Sequence, residues 1–173
     1  MMAARATDVS IVTGAAEARG GEIARRLARR RFAIVVVYLN DQGGAETTVE
    51  AAFAAGSTGV TVRADVTDDI DIARLFDETA AAFGRADVVV HTAAVDGAVL
   101  FAQAAQRLAR GGAIVAVSPA APIAAAVARR LTERDIIVND VLGGLTAGDG
   151  AAAQAVGDPV AFVDRWRAQR RVR

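Results

Sequence analysis

Side chains able to do covalent or proton-transfer chemistry are scarce in this chain. It holds one histidine, His91, one tyrosine, Tyr38, and no cysteine, and each of its twenty basic residues is an arginine. His91 is the side chain whose ordinary pKa lies nearest neutrality. Thr92 follows it directly, and Ser118 closes a later apolar run. A base and a hydroxyl in that setting could move a proton or support attack on a carbonyl. Ser118, however, precedes Pro119 and lacks the glycine-flanked elbow of a nucleophilic serine. The lack of cysteine excludes thiolate chemistry and disulfides, and a lone histidine argues against a metal centre.

A second kind of chemistry needs no reactive side chain. Residues 13–20, TGAAEARG, lie between an apolar strand that starts at Asp8 and a helix read from Gly21. A glycine turn feeding a helix N-terminus presents backbone N–H groups to an anion, and the helix dipole adds to the attraction. Gly14 permits the turn, Gly20 allows close packing, and Ala18 carries a methyl where a third glycine would let phosphates approach. The stretch therefore reads as a dinucleotide pyrophosphate cradle.

The remaining elements are those that such a cradle requires. Continuous apolar runs such as residues 32–38, FAIVVVY, suit parallel strands buried on both faces. They alternate with amphipathic, alanine-rich helices, the last predicted over about residues 159–169. Six strands alternating with helices predict an α/β fold. It is a doubly wound parallel sheet in the order 3-2-1-4-5-6, three layers α/β/α, forming a single Rossmann domain over residues 1–173. That order brings Gly14, His91, Thr92 and Ser118 to one crevice. Twenty acidic residues balance the twenty basic ones, which argues against nucleic acid as a partner. The sequence shows no apolar run long enough to span a membrane and no signal-peptide core, so a cytoplasmic location is expected. The tail RWRAQRRVR reads as a solvated helix face with Trp166 packed inward, in preference to a contact for phosphate or an acidic partner. An open edge at the sixth strand would then await the last helix or a second chain, so a homo-oligomer is one expectation.

Over residues 8–94 the chain resembles the short-chain dehydrogenase/reductase family. The resemblance rests on the Thr13-Gly14 turn, Gly20, the Asp65-Val66 pair after the third strand, and residues 71–90, DIARLFDETAAAFGRADVVV. His91-Thr92-Ala93-Ala94 stands where the family has Asn-Asn-Ala-Gly, and Gly143, Gly144 and Thr146 match its Pro-Gly-x-Thr segment. The resemblance implies a nicotinamide dinucleotide, NADP or NAD. Thr13, Gly14, Ala18, Arg19 and Gly20 would lie at the pyrophosphate, Asp65 and Val66 at the adenine, and Ala93, Gly144 and Thr146 further along the ligand. Asn40, ending the second strand, resembles NADP-type members, with Arg19 and Arg63 able to offset Glu17. The balance leans slightly to NADP.

The departures bear on activity. The family transfers hydride with a tyrosine, a lysine four residues later, a serine and an asparagine, and a tyrosine needs a nearby cation to exchange protons near neutrality. Here lysine is absent and Tyr38 falls on the adenine side. Ser118 matches the first serine of the usual pair and Pro119 falls at the second. Two internal connections, after Ala94 and after Pro119, are also shorter than the family's. The expectation is a degenerate, shortened relative that binds NAD(P) without the usual hydride transfer and serves a non-redox, regulatory or complex-forming role. A minimal oxidoreductase would need water, His91 or Thr92 to supply the proton to an unidentified small molecule. A scaffold with a vestigial cofactor site is the third reading.

Overall fold

The computed structural model describes residues 7–117, 124–140 and 157–172. Six strands alternate with six helices: β1 (Val9–Thr13), α1 (Ala18–Arg29), β2 (Ala33–Tyr38), α2 (Gln42–Ala54), β3 (Gly59–Arg63), α3 (Asp69–Phe83), β4 (Val88–His91), α4 (Ala98–Arg107), β5 (Ala113–Ala116), α5 (Ala125–Glu133), β6 (Ile137–Asp140) and α6 (Pro159–Val172). All pairings are parallel and the order is β3-β2-β1-β4-β5-β6. The predicted Rossmann arrangement is therefore the observed one.

Strand alternation divides the core into two layers. Val9 and Ile11 of β1 face Leu75 of α3, Leu100 of α4 and Leu131 of α5. Val12 faces the other way, toward Leu27 of α1, Val49 of α2 and Val163 of α6. Because parallel strands are covered on both sides, their apolar runs are continuous, and each fully buried Val, Leu or Ile contributes about 1.5–3 kcal/mol.

Helix starts differ from the sequence expectation in two places that matter for the site. The first helix opens at Ala18 instead of Gly21, because Glu17 adopts the extended N-cap backbone and the following glycines continue as helix. The second opens at Gln42, inside the stretch expected to be a loop, because the Asp41 carboxylate accepts from the Gly44 N–H at 2.9 Å. That is an ordinary acidic N-cap.

The last helix departs furthest from expectation. It runs on to Val172 and packs mainly beside α1 and against β5, covering a face of the sheet. Trp166 is buried as predicted, with its indole N–H donating to the Gly111 carbonyl. The arginines around it are not simply solvated. Arg167 donates to the Asp8 carboxylate at 2.6 Å and lies 3.9 Å over the Phe32 ring. Arg170 donates at 2.7 Å to Asp87, which is fully buried and also accepts from the Val9 N–H. From the other side, Arg26 and Arg30 of α1 pair with Asp158 and Asp164. Among the described residues, no helix is long and apolar enough to cross a membrane.

Most of these ion pairs are partly exposed and contribute little singly, but Asp87 cannot be rehydrated in place. Asp87→Ala leaves the Arg170 guanidinium and the Val9 amide without their acceptor, so a loss of about 3 kcal/mol in urea unfolding is expected. Arg74→Ala, which removes the exposed pairs with Asp71 and Glu78, should leave the urea midpoint close to the parent value.

Candidate functional site

The site is built where β1 stops and α1 begins. Gly14 takes a left-handed backbone at φ 64°, and the Glu17 N–H returns to its carbonyl at 3.1 Å. A methyl at Gly14 would lie 2.6 Å from Thr92 Oγ1 and 2.9 Å from the Ala93 nitrogen. One at Gly20 would lie 2.3 Å from the Gly14 oxygen and 2.6 Å from that same hydroxyl. The sequence reading gave Gly20 a helix-to-strand contact. Its closest neighbours are the turn carbonyl and Thr92, so what it protects is the shape of the turn.

The N-terminus of α1 suits an anion. Glu17 makes no side-chain cap and the first turn has no acidic residue, whereas α2 and α3 are capped by Asp41 and Asp68. Helix geometry leaves the first N–H groups without intrahelical partners, and at α1 these belong to Ala18, Arg19 and Gly20. Ala18 and Arg19 are exposed there.

Beside this turn lies a cavity of about 330 Å³ at the C-terminal ends of β1 to β4. Val37, Tyr38, Ala64 and Val66 give it apolar walls, and Ala93 to Val95 form its rim on the β4 side. Gly14, Asn40, Asp65, Val66 and Ala93 were expected to contact a dinucleotide, and all five line this one cavity. Thr13, Ala18, Arg19 and Gly20 do not line it, but they build the adjoining turn. Ser118, Gly143, Gly144 and Thr146 lie outside the described residues. Val95 and Leu39, both on the rim and partly exposed, went unmarked in the sequence. The one available signal was their place just past an apolar strand.

The charges on the cavity are all of one sign. Among the described residues Glu17, Asp41 and Asp65 line it and no arginine does. The Thr67 hydroxyl and N–H hold the Asp65 carboxyl below its ordinary range. Arg63, expected to offset Glu17, is exposed and its Nε–H donates to the Leu39 carbonyl.

His91 and Thr92 serve the same turn from β4. Register places His91 opposite Thr13, and their side chains meet at 2.8 Å between His91 Nδ1 and Thr13 Oγ1. His91 Nε2 lies 2.9 Å from the Val95 carbonyl. A carbonyl only accepts, so Nε2 carries the proton and Nδ1 accepts from the Thr13 hydroxyl. The Thr92 N–H donates to Thr13 Oγ1, and the Thr92 hydroxyl donates to the Thr13 carbonyl at 2.6 Å. His91 is fully buried and meets Phe101 edge-on. Burial pushes its pKa down, against weaker opposing effects of the Val95 carbonyl and Asp96. Both ring nitrogens are thus occupied and the ring is neutral, an arrangement suited to holding the Thr13 turn and the Val95 rim in register and poorly suited to delivering protons.

Comparison with known proteins agrees with this geometry. Residues 14–110 match a family profile described as enoyl-(acyl carrier protein) reductase. The chain is 39% identical over 87 residues to an uncharacterized oxidoreductase of Methylorubrum extorquens, covering 50% of this chain and 35% of that protein. It is 41% identical over 87 residues to a cis-4-hydroxycyclohexanecarboxylate dehydrogenase of Sinomonas cyclohexanicum, covering 50% and 34%. The matched region is thus about a third of the length of these relatives. Among solved structures, a dehydrogenase/reductase of Sinorhizobium meliloti superposes with a TM-score of 0.66 at 22% identity, over 94% of this chain and 88% of the other. A Burkholderia cenocepacia protein described as a dehydrogenase and solved with NADP bound gives 0.66 at 22%, over 94% and 79%.

Two measurements probe the turn. Gly20→Ala forces a methyl against backbone that cannot retreat, so a stability loss of about 1–3 kcal/mol in chemical denaturation is expected. His91 prefers to be neutral when folded and is free to protonate when unfolded. The unfolded state therefore binds more protons below about pH 6.5, and stability should fall as pH drops through that value. His91→Gln should remove that component, visible as a flatter dependence of the urea midpoint between pH 7.5 and 5.5. Fold, turn, cavity and profile match agree: the chain belongs to the short-chain dehydrogenase/reductase family.

Proposed function

We propose that this chain binds a nicotinamide dinucleotide and does not carry out the hydride transfer usual in its family. The residues present fit the cofactor. The turn that Gly14 and Gly20 keep tight and the uncapped start of α1 suit a pyrophosphate, and the apolar cavity walled by Val37 and Val66 suits an adenine ring. When bound, the cofactor would supply a hydride donor or acceptor. What this chain contributes is binding and orientation through backbone N–H groups, with Thr13, His91 and Thr92 fixing the turn.

The observation that carries the second half is the place of the sole tyrosine. Tyr38 ends β2 and lines the adenine-side cavity, two strands from β4 and so roughly 10 Å across the sheet. No lysine exists to lower its pKa. A role in sensing or holding a dinucleotide, or in a complex that uses the bound form, follows from that inventory.

The lining charges also bear on cofactor choice. Asn40 resembles NADP-type members, but among the described residues three carboxylates and no guanidinium line the cavity. A ribose with a free 2′-hydroxyl can donate to a carboxylate, whereas a 2′-phosphate would be repelled. NAD is the better match.

Titration with NADH and NADPH, following cofactor fluorescence, tests these points. NADH should bind in the sub-millimolar range and more tightly than NADPH, with no oxidation across a broad panel of carbonyl compounds. Glu17→Arg should shift the preference toward NADPH by at least about tenfold, close to 1.4 kcal/mol. Carbonyl-dependent turnover would overturn the non-catalytic reading, and absence of binding at millimolar nucleotide would overturn the binding one.

A further inference from the structure

A second cavity, of about 390 Å³, lies at the opposite, N-terminal ends of the strands, lined by Thr7, Asp8, Arg30, Arg31, Arg167, Arg170 and Arg171. Asp8 immediately precedes β1, whereas the nucleotide cavity gathers residues beyond the strands' C-terminal ends. Five residues of strand, at about 3.3 Å each, separate the two by roughly 16 Å. The five arginines come from the end of α1, the residue after its cap, and the last turns of α6.

Three of the guanidiniums are fixed in place. Arg167 is held by Asp8, by the Arg30 carbonyl at 2.6 Å and by the Phe32 ring. Arg170 is held by Asp87 and lies 5.3 Å over the Trp166 ring. Arg30 donates through Nε to both oxygens of Asp164 and through Nη1 to the Arg26 carbonyl. A guanidinium has five N–H donors, and among the described residues Nη2 of all three makes no hydrogen bond. The other two arginines have no carboxylate partner among those residues. Arg31 sits at φ 63°, a left-handed backbone that favours glycine, and spends one donor on the Gly56 carbonyl. Arg171 is exposed.

Five guanidiniums thus face three carboxylates, Asp8, Asp87 and Asp164, and two positive charges are left over. Held guanidinium forks from the end of α1 and from α6 that line one cavity suit an oxyanion such as phosphate, which accepts several hydrogen bonds at once. We propose that this cavity binds a phosphate dianion, either inorganic phosphate or the end of a phosphate monoester, independently of the nucleotide site.

Trp166 is the chain's single tryptophan and reports on the cavity through Arg170. Inorganic phosphate and glycerol 3-phosphate should each be titrated at constant ionic strength against chloride, following Trp166 fluorescence and the thermal unfolding midpoint. A saturable response and a rising midpoint are expected with one or both; the tighter ligand distinguishes a free ion from an ester. The double variant Arg31→Ala, Arg171→Ala, which breaks no ion pair among the described residues and gives up only the Arg31 hydrogen bond to the Gly56 carbonyl, should weaken binding at least tenfold while leaving NADH affinity at the parent value. The proposal is overturned by the absence of a saturable response in both readouts, by binding that the double variant leaves unchanged, or by displacement of phosphate by NADH, which would put the anion at the glycine turn.

Discussion

Three chain segments meet at the mouth of the nucleotide cavity with no room for one more carbon. The Gly14 turn, the Gly20 backbone and the Thr92 hydroxyl lie within a methyl's reach of one another, and the anion-binding start of α1 keeps its shape only while they do. Thr92 seals this contact by donating to the Thr13 carbonyl, and Thr13 in turn is held by His91. The cradle is therefore a property of two neighbouring strands, β1 and β4, as much as of the glycines that make it recognisable. The same contact gives His91 a structural place: buried among the strands, it has each ring nitrogen within hydrogen-bond distance of a fixed partner.

The parts of the fold legible in the sequence are those set by local pattern. Apolar β-branched runs gave the strands, their alternation with helices gave the order, and the glycines gave the turn. Contacts between distant segments were not legible. Strand register decides that His91 faces Thr13, and no local signal encodes register where strands such as β1 and β4 are buried on both faces. Glycine's poor helix propensity placed the start of α1 too late, because close packing against Gly14 overrides it. Asp41, beside Asn40 at the end of β2, caps α2, a role decided by where the backbone turns.

The arginine-rich tail shows the same limit from the other side. Composition suggests a solvated face, yet Arg167 and Arg170 reach carboxylates at the feet of β1 and β4, more than 80 residues away in sequence. A net charge of zero conceals a separation: carboxylates line the cavity at the strands' C-terminal ends, and guanidiniums, beside Asp8, the cavity at their N-terminal ends. The sheet thus lies between two fields of opposite sign, each shaped by which residues the topology brings together.

The clasp between α6 and the feet of the strands has a consequence for how the protein comes to be folded. Asp8 and Arg167 are 159 positions apart, and contacts of such separation form late, after local ones have reduced the entropy of closing the loop. During synthesis, β1 to β4 and their helices can assemble while α6 is still being made, leaving the apolar surface beside Leu27 and Val90 without the Val163 and Trp166 side chains that cover it. That interval is when the chain is most exposed to self-association. In the finished protein the same helix, last to dock and joined by ion pairs that salt weakens, is the element from which unfolding should begin.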